Sequence, residues 1–356
     1  MPWKCVIFIL LAIVEGFNSC PSVCTCSHTQ KNLIVDCASA GLNFLPSDIP
    51  KAVNILKLRN NSIKLETNSF RNTPDLQVLH LQKNNLTLLP GDLLAWVPQL
   101  RGLYLYSNQL THLPDSIFNN VSNLEYLLLS GNQLLNVSDQ LFLPLKKLKT
   151  LILSNNHLQV ISPRVFLGLE ALKVLSLAFN HLSVLPESLF HPLHNLRLCA
   201  LNNNKLDSLP EKVFYGLRSL TWITLANNSL RELPSKLFSH TSLLKLFLYS
   251  NQLESLPTGF LHSLKDLTYL DLHDNQLELV PDGAFQPLAS LSTIRLDQNP
   301  WRCDSDNSYL RCWIKHHRNT VKSRSISKPE SVICHTPDHL AGSAMVDVSD
   351  REMGKC

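Results

Sequence analysis

Over most of its length the chain repeats one pattern of apolar and polar positions. Aligned against itself it gives L-x-x-L-x-L-x-x-N-x-L, as in Leu76 to Leu86 (LQVLHLQKNNL), Leu100 to Leu110 (LRGLYLYSNQL) and Leu148 to Leu158 (LKTLILSNNHL). The asparagine recurs at Asn61, Asn84, Asn108, Asn132, Asn156, Asn180, Asn204, Asn228, Asn251, Asn275 and Asn299, always 23 or 24 residues on. Within each unit L-x-L puts two leucines on one side of a short strand, because side chains alternate with period two. Units of this length bury their apolar side only by stacking, which predicts a parallel sheet lining one side of a solenoid. The strand positions between the leucines then face solvent. The asparagines form a ladder whose amides serve loop backbone, and losing one costs about 1–3 kcal/mol.

The second half of each unit, such as Leu113-Pro114-Asp115-Ser116-Ile117-Phe118, forms the outer side. There proline, with its fixed φ, starts a turn or a short helix. Phe118, Phe142, Phe166, Phe190, Phe214, Phe238 and Phe285 recur near the repeat period and read as an internal aromatic column. Cys199 stands at the inward fourth position of its unit, which predicts a buried, inert thiol. A reactive or partner-linked cysteine is the alternative.

The ends of the chain differ from this body. Residues 1–19 read as a secretory signal, with Lys4 before the apolar run Val6 to Val14 and small residues at Gly16 and Ser19. That run is too short for a bilayer, and no later stretch reaches the roughly 18 apolar residues a membrane helix needs. Of the 10 cysteines, Cys20, Cys24, Cys26 and Cys37 gather before the repeats, and Cys303, Cys312, Cys334 and Cys356 after them. Such grouping predicts two disulfide-stapled modules closing the open ends of a solenoid. Zinc held by Cys303, Cys312, His316 and His317 is the alternative for the second group. Candidate N-glycosylation sequons lie at Asn60, Asn85, Asn120, Asn136 and Asn227. The expected domains are therefore a signal (1–19), an N-terminal cap (20–51), repeats (52–298) and a C-terminal cap (299–356), in a secreted, extracellular protein.

These repeats and caps resemble the extracellular leucine-rich-repeat family. The resemblance implies an α/β leucine-rich-repeat solenoid, or horseshoe, with a parallel concave sheet and disulfide-capped ends. The C-x3-C-x-C-x10-C group resembles the family's N-terminal cap, which implies the pairs Cys20–Cys26 and Cys24–Cys37. Asn299-Pro300-Trp301-Arg302-Cys303-Asp304 resembles the start of the C-terminal cap, although Ser305 stands where that cap usually has cysteine. The analogy implies Cys303–Cys334 and leaves Cys312 with Cys356, unless Cys356 joins two chains. Repeats of the L-P-x-x-L-F type also make the chain similar to the serum group of leucine-rich alpha-2-glycoprotein and the beta-type phospholipase A2 inhibitor.

Composition narrows the chemistry. The 356 residues are 44% hydrophobic, which excludes wholesale disorder, and a net charge of +4 from 32 basic and 28 acidic residues gives no nucleic-acid signal. No nucleophile elbow, zinc-protease pair or phosphate loop occurs, so no catalytic residue, metal or cofactor is expected. The histidines, His112, His157 and His181 among them, read as solvated. Lys315, Arg318, Lys322, Arg324 and Lys328 read as a solvated face of the C-terminal cap, with a weak heparin-like or anionic-surface contact as the alternative.

Binding is expected on the concave strand positions. These present Tyr104, Tyr106, Tyr126, Leu128, Ile152, Val174, Phe179, Leu198, Trp222, Phe247, Tyr249, Tyr269, Asp271, His273 and Asp274. Solvent-facing strand positions are usually polar, so this run of apolar and aromatic side chains points to an interface. Lateral packing along the sheet is the bland reading of the same residues. Lys57, Arg59, His80 and Lys83 make one end basic, and Asp271, Asp274 and Asp297 make the other acidic, a polarity that would orient a partner. At strand spacing the arc runs about 50 Å, suited to a protein domain. The first reading is a secreted, non-enzymatic binder of a protein ligand. The resemblance implies a growth factor, a small basic protein such as cytochrome c, or a secreted enzyme. The rivals are an inhibitor of secreted phospholipase A2 and a matrix or regulatory-subunit protein.

Overall fold

The structure, a computed structural model, describes residues 20–356; the signal-like segment and Cys5 lie outside the described residues. Two compact units emerge, one running to Gln133 and taking in Pro144–Leu148, the other made of Leu134–Leu143 and Lys149–Cys356.

In the first unit, β1 (Thr25–His28) pairs antiparallel with β2 (Leu33–Asp36). From β2 the sheet continues in parallel through β3 (Ile55–Lys57), β4 (Val78–His80), β5 (Gly102–Tyr104) and β6 (Tyr126–Leu128). Each of β3 to β6 keeps only three residues because a repeat must leave the sheet, cross the outer side and return. The middle residues Val35, Leu56, Leu79, Leu103 and Leu127 stand on one rung line and are buried.

The second unit repeats this arrangement. Its strands are β7 (Thr150–Ile152), β8 (Val174–Ser176), β9 (Leu198–Ala200), β10 (Trp222–Thr224), β11 (Lys245–Phe247), β12 (Tyr269–Asp271) and β13 (Thr293–Arg295), all parallel. Leu151, Leu175, Cys199, Ile223, Leu246, Leu270 and Ile294 form its inward line. Cys199 is therefore a core residue, and burial pushes its thiol up to about 12.

On the outer side the prolines start turns: Ile117, Leu189, Val213 and Leu237 each donate a backbone N–H to the carbonyl of the proline three residues earlier, at 3.1 Å. Of the two expected outcomes, turn and short helix, the turn is what forms. Among the described residues, α-helix occurs in the C-terminal cap, over Ser308–His316 and Asp350–Met353. Phe166, Phe190, Phe214 and Phe238 stack at centroid spacings of 6.2, 5.6 and 5.4 Å. Phe260 extends the column at 5.8 Å, although it stands three residues after its proline where Phe190, Phe214 and Phe238 stand four, which hides it from a strict period. Phe285 turns instead toward Trp313, 4.9 Å away in the cap helix.

The asparagine ladder is built as the pattern predicts. Asn108 Nδ2 donates to the carbonyls of Leu81 and Leu105 at 3.0 and 2.9 Å, and its Oδ1 accepts from Leu86 N–H at 3.1 Å. The residue before the ladder asparagine takes a left-handed φ, as at Asn60 (57°), Ser107 (56°), Asn203 (56°) and Asp274 (55°). Short polar side chains tolerate this conformation best. Lys83 and Gln298, both at 60°, are longer, and Phe179, at 55°, is the aromatic exception.

Both caps are closed by disulfides: Cys20–Cys26, Cys24–Cys37, Cys303–Cys334 and Cys312–Cys356. These bonds remove Cys303 and Cys312 from the zinc alternative and keep Cys356 within the chain. The C-terminal cap pairs β14 (Trp301–Arg302) with β17 (Cys334–Thr336) and β15 (Lys322–Ser323) with β16 (Ile326–Ser327). Trp301 is fully buried and donates its indole N–H to the Leu296 carbonyl at 2.9 Å. Arg311, also fully buried, bonds the carboxylate of Asp350 and the carbonyl of Gly354.

Candidate functional site

Strand residues on either side of each buried leucine point away from the core, so the open side of each sheet is read rung by rung. In the first unit it carries Tyr104, Tyr106, Tyr126 and Leu128. Tyr126 is 42% exposed, while the other three are half-buried. The imidazole of His80 stacks on the Tyr104 ring at 4.3 Å and 17°. Burial lowers the His80 pKa below its ordinary 6.5, helped by the Lys57 and Arg59 charges. Lys57 is not a free cation, because its Nζ lies 3.0 Å from Asp36 Oδ2.

In the second unit one outward row runs Thr150, Val174, Leu198, Trp222, Lys245, Tyr269, Thr293. The other runs Ile152, Ser176, Ala200, Thr224, Phe247, Asp271, Arg295. From β7 to β10 neither row holds a charge. Beyond that, rings gather. Trp222 lies 5.3 Å from Phe247, Phe247 lies 4.9 Å from Tyr269, and Tyr249 stacks on His273 at 4.8 Å. With Asn202, Thr224, Asp271 and Arg295 they line an open depression of about 520 Å³.

Asp271 departs from expectation. It is only 2% exposed, at the floor of the depression rather than on its surface. Its carboxylate accepts from His273 Nδ1 at 2.5 Å and from the Tyr269 hydroxyl at 3.2 Å, with Arg295 3.6 Å away. Arg295 also bonds Asp297 at 3.1 Å. Arg295 thus sets one cation against Asp271 and Asp297 and leaves Asp274 exposed, so it offsets part of the acidic end; strand position alone would have placed it here, but sequence reasoning passed over it. Burial, with the Asp271 charge and bond, pushes the Tyr269 phenol up to about 12. His273 gives its Nδ1 proton to Asp271, which leaves Nε2 as the free ring nitrogen.

The remaining predicted residues are less closely joined. Ile152 is half-buried on β7. Asp274 is exposed, its carboxylate accepting from the Ser250 hydroxyl at 2.7 Å. Phe179 is 50% exposed, beyond the end of β8. All five sequon asparagines are exposed. No group of three or more metal-ligating side chains occurs among the described residues, and none of their helices is long and apolar enough to cross a membrane.

The chain is similar to several known proteins. Human platelet glycoprotein IX is 37% identical over 86 residues, 24% of this chain and 48% of that protein. Leucine-rich repeat-containing protein 3 of Danio rerio is 32% identical over 83 residues, 23% of this chain and 31% of that protein. The chain thus matches less than half the length of these relatives. Among solved structures, a chain in the octameric complex of Latrophilin 3, Unc5D and FLRT2 superposes with a TM-score of 0.77 at 27% identity, covering 93% of this chain and 98% of that one. A leucine-rich-repeat protein of Leptospira interrogans gives 0.65 at 27% identity, covering 81% and 76%. The family profile described as "Leucine rich repeat" matches residues 98–158, 146–198, 196–253 and 241–300. With that profile matched over more than half its length and the ladder and stacked strands in place, the chain belongs to the leucine-rich-repeat family.

Proposed function

We propose that the chain is a secreted, non-enzymatic protein of the extracellular space that captures a protein ligand on the open face of its sheet. The family's proteins commonly mediate protein–protein interaction, and one similar structure is a complex of a leucine-rich-repeat component, FLRT2, with Latrophilin 3 and Unc5D. The observation that carries the reading is the ring-lined depression of the second unit, where Trp222, Phe247, Tyr249 and Tyr269 stand at positions that alternation exposes. Rings of this kind anchor protein interfaces. The uncharged rows beside them favour an apolar contact over one driven by charge. Disulfides in both caps support an oxidising compartment.

The test is affinity capture from extracellular fluid with the wild type and with Phe247→Ala/Tyr249→Ala as baits. Proteins held by the wild type and lost by the variant support the reading, and identical captures overturn it. A growth factor or small basic protein among those lost would name the ligand class. A secreted phospholipase A2 would make the chain similar in role to the serum inhibitor it resembles, and an activity assay would follow.

A further inference from the structure

The C-terminal cap carries a second surface, independent of the depression. From Lys315 to Lys328 the chain holds Lys315, Arg318, Lys322, Arg324 and Lys328 and no acidic residue. The structure folds this run on itself: the Ser327 hydroxyl donates to the Arg318 carbonyl at 2.8 Å, and Lys328 N–H donates to Val321 at 3.1 Å. Two of the five cations are engaged, Arg318 with Glu330 at 2.8 Å and Lys315 with Asp350 at 3.8 Å. Lys322 and Arg324 on the hairpin of β15 and β16, and Lys328 directly after it, form no ion pair among the described residues.

The tip of that hairpin adds an independent observation. Ser323 pairs with Ile326, so Arg324 and Ser325 form a two-residue turn. Arg324 has φ +56°, and Ser325 is outside the left-handed region. A turn with positive φ at its first central residue ordinarily takes glycine there. Here an exposed arginine holds the position against the backbone's preference, the kind of local conflict that accumulates at functional positions. At the end of the preceding helix His316 and His317 donate their Nδ1–H groups to the carbonyls of Cys312 and Trp313 at 2.7 and 2.8 Å, leaving both Nε2 atoms available.

We propose that this hairpin binds a sulfated polysaccharide. Exposed Arg324 and Lys328 with half-buried Lys322, in a run that holds no acidic residue, suit a flexible linear polyanion whose charges repeat along the strand. Anionic lipid is the competing partner, and Ile326, 72% exposed, would suit its surface. The oxidised cysteines of the cap favour the extracellular side, whereas anionic lipid concentrates on the cytoplasmic leaflet. No residue of the ring-lined depression takes part, so either proposal can fail while the other stands.

Heparin serves as the probe. Wild type should be retained on immobilised heparin at about 0.15 M salt and released as salt rises. Lys322→Gln/Arg324→Gln/Lys328→Gln should bind on the order of a hundredfold more weakly, about fivefold per cation removed. Lys205→Gln/Lys236→Gln/Lys265→Gln, of equal charge change on exposed repeat positions, should elute with the wild type. Arg324→Gly, which relieves the turn, should weaken heparin binding without lowering the melting temperature. The proposal is overturned if the wild type is not retained, if both triple variants elute together, or if the wild type binds phosphatidylserine vesicles and not heparin.

Discussion

Asn204 and Leu182 are joined across neighbouring turns: the Leu182 N–H donates to Asn204 Oδ1 at 3.1 Å, in a position closed to water. The same side chain donates to the carbonyls of Leu177 and Leu201, each at 3.0 Å. Both carbonyls have a second donor, in Asn180 and Asn228, but the Leu182 N–H bond is Asn204's to make. Asn204→Leu should therefore destabilise by about 1–3 kcal/mol, the cost of a buried donor left unsatisfied. Thermal melts of this variant beside Lys205→Ala, which should be nearly neutral, check it.

Phe179 tests strain against function. Its φ of 55° is one that asparagine adopts more readily, and its neighbours Asn155 and Asn203 hold the same position. Phe179→Asn should stabilise by about 1 kcal/mol. If the half-exposed ring is part of the ligand surface, the same variant should lose captured proteins. A rise in melting temperature with unchanged capture would take Phe179 out of the site.

Cys199 should be chemically silent. Its thiol is buried and pushed up to about 12, so thiolate is scarce at neutral pH. Native protein at about pH 8 should show no alkylation of the Cys199 peptide by iodoacetamide, and unfolded protein full alkylation. Labelling of native protein would revive the reactive-cysteine reading.

Stability should fall with acid in two windows. The His80 pKa is lowered by burial, so the neutral ring is favoured in the fold; its contribution is complete above 6.5 and shrinks as pH falls from there toward the lower folded value. Asp350 is held below 3.8 by its bond from Arg311. At Asp36 burial works upward, but the Lys57 bond, the Ala38 N–H and the Lys57 and Arg59 charges outweigh it. Both carboxylates therefore contribute fully above 3.8 and lose that contribution as pH drops through their folded values. Chemical denaturation from neutral pH to acid should show both steps. His80→Phe should flatten the upper one, and Asp350→Asn should shrink the lower one to the part that Asp36 contributes.

The pair Cys312–Cys356 closes a sequence separation of 44 residues. In the chain-entropy model a loop of that length is worth about 4 kcal/mol. Cys312→Ser/Cys356→Ser should lower the melting temperature, and the intact protein should run as a monomer on a non-reducing gel. A covalent dimer that resolves on reduction would show Cys356 linking two chains instead.

The repeat was legible in the chain alone. Leucine and asparagine at fixed spacing leave no other way to bury the one and satisfy the other, so the strands, the ladder, the core position of Cys199 and most of the phenylalanine column followed from period and polarity. The cap pairings came from resemblance, since eight cysteines in two groups admit several connectivities. The site was only partly legible. Alternation told which side chains leave the core, but not what they meet there. Asp271 looked like an exposed acid because its position points outward. Its burial depends on Tyr269, His273 and Arg295, the last brought beside it from the next turn of the chain. Likewise Arg324 reads in sequence as one cation of a basic run. Only the hairpin, by forcing a left-handed φ at its first turn residue, sets that arginine apart. Periodic positions are fixed by local rules acting on every turn alike, whereas a pairing between side chains of adjacent turns exists only after the turns have stacked.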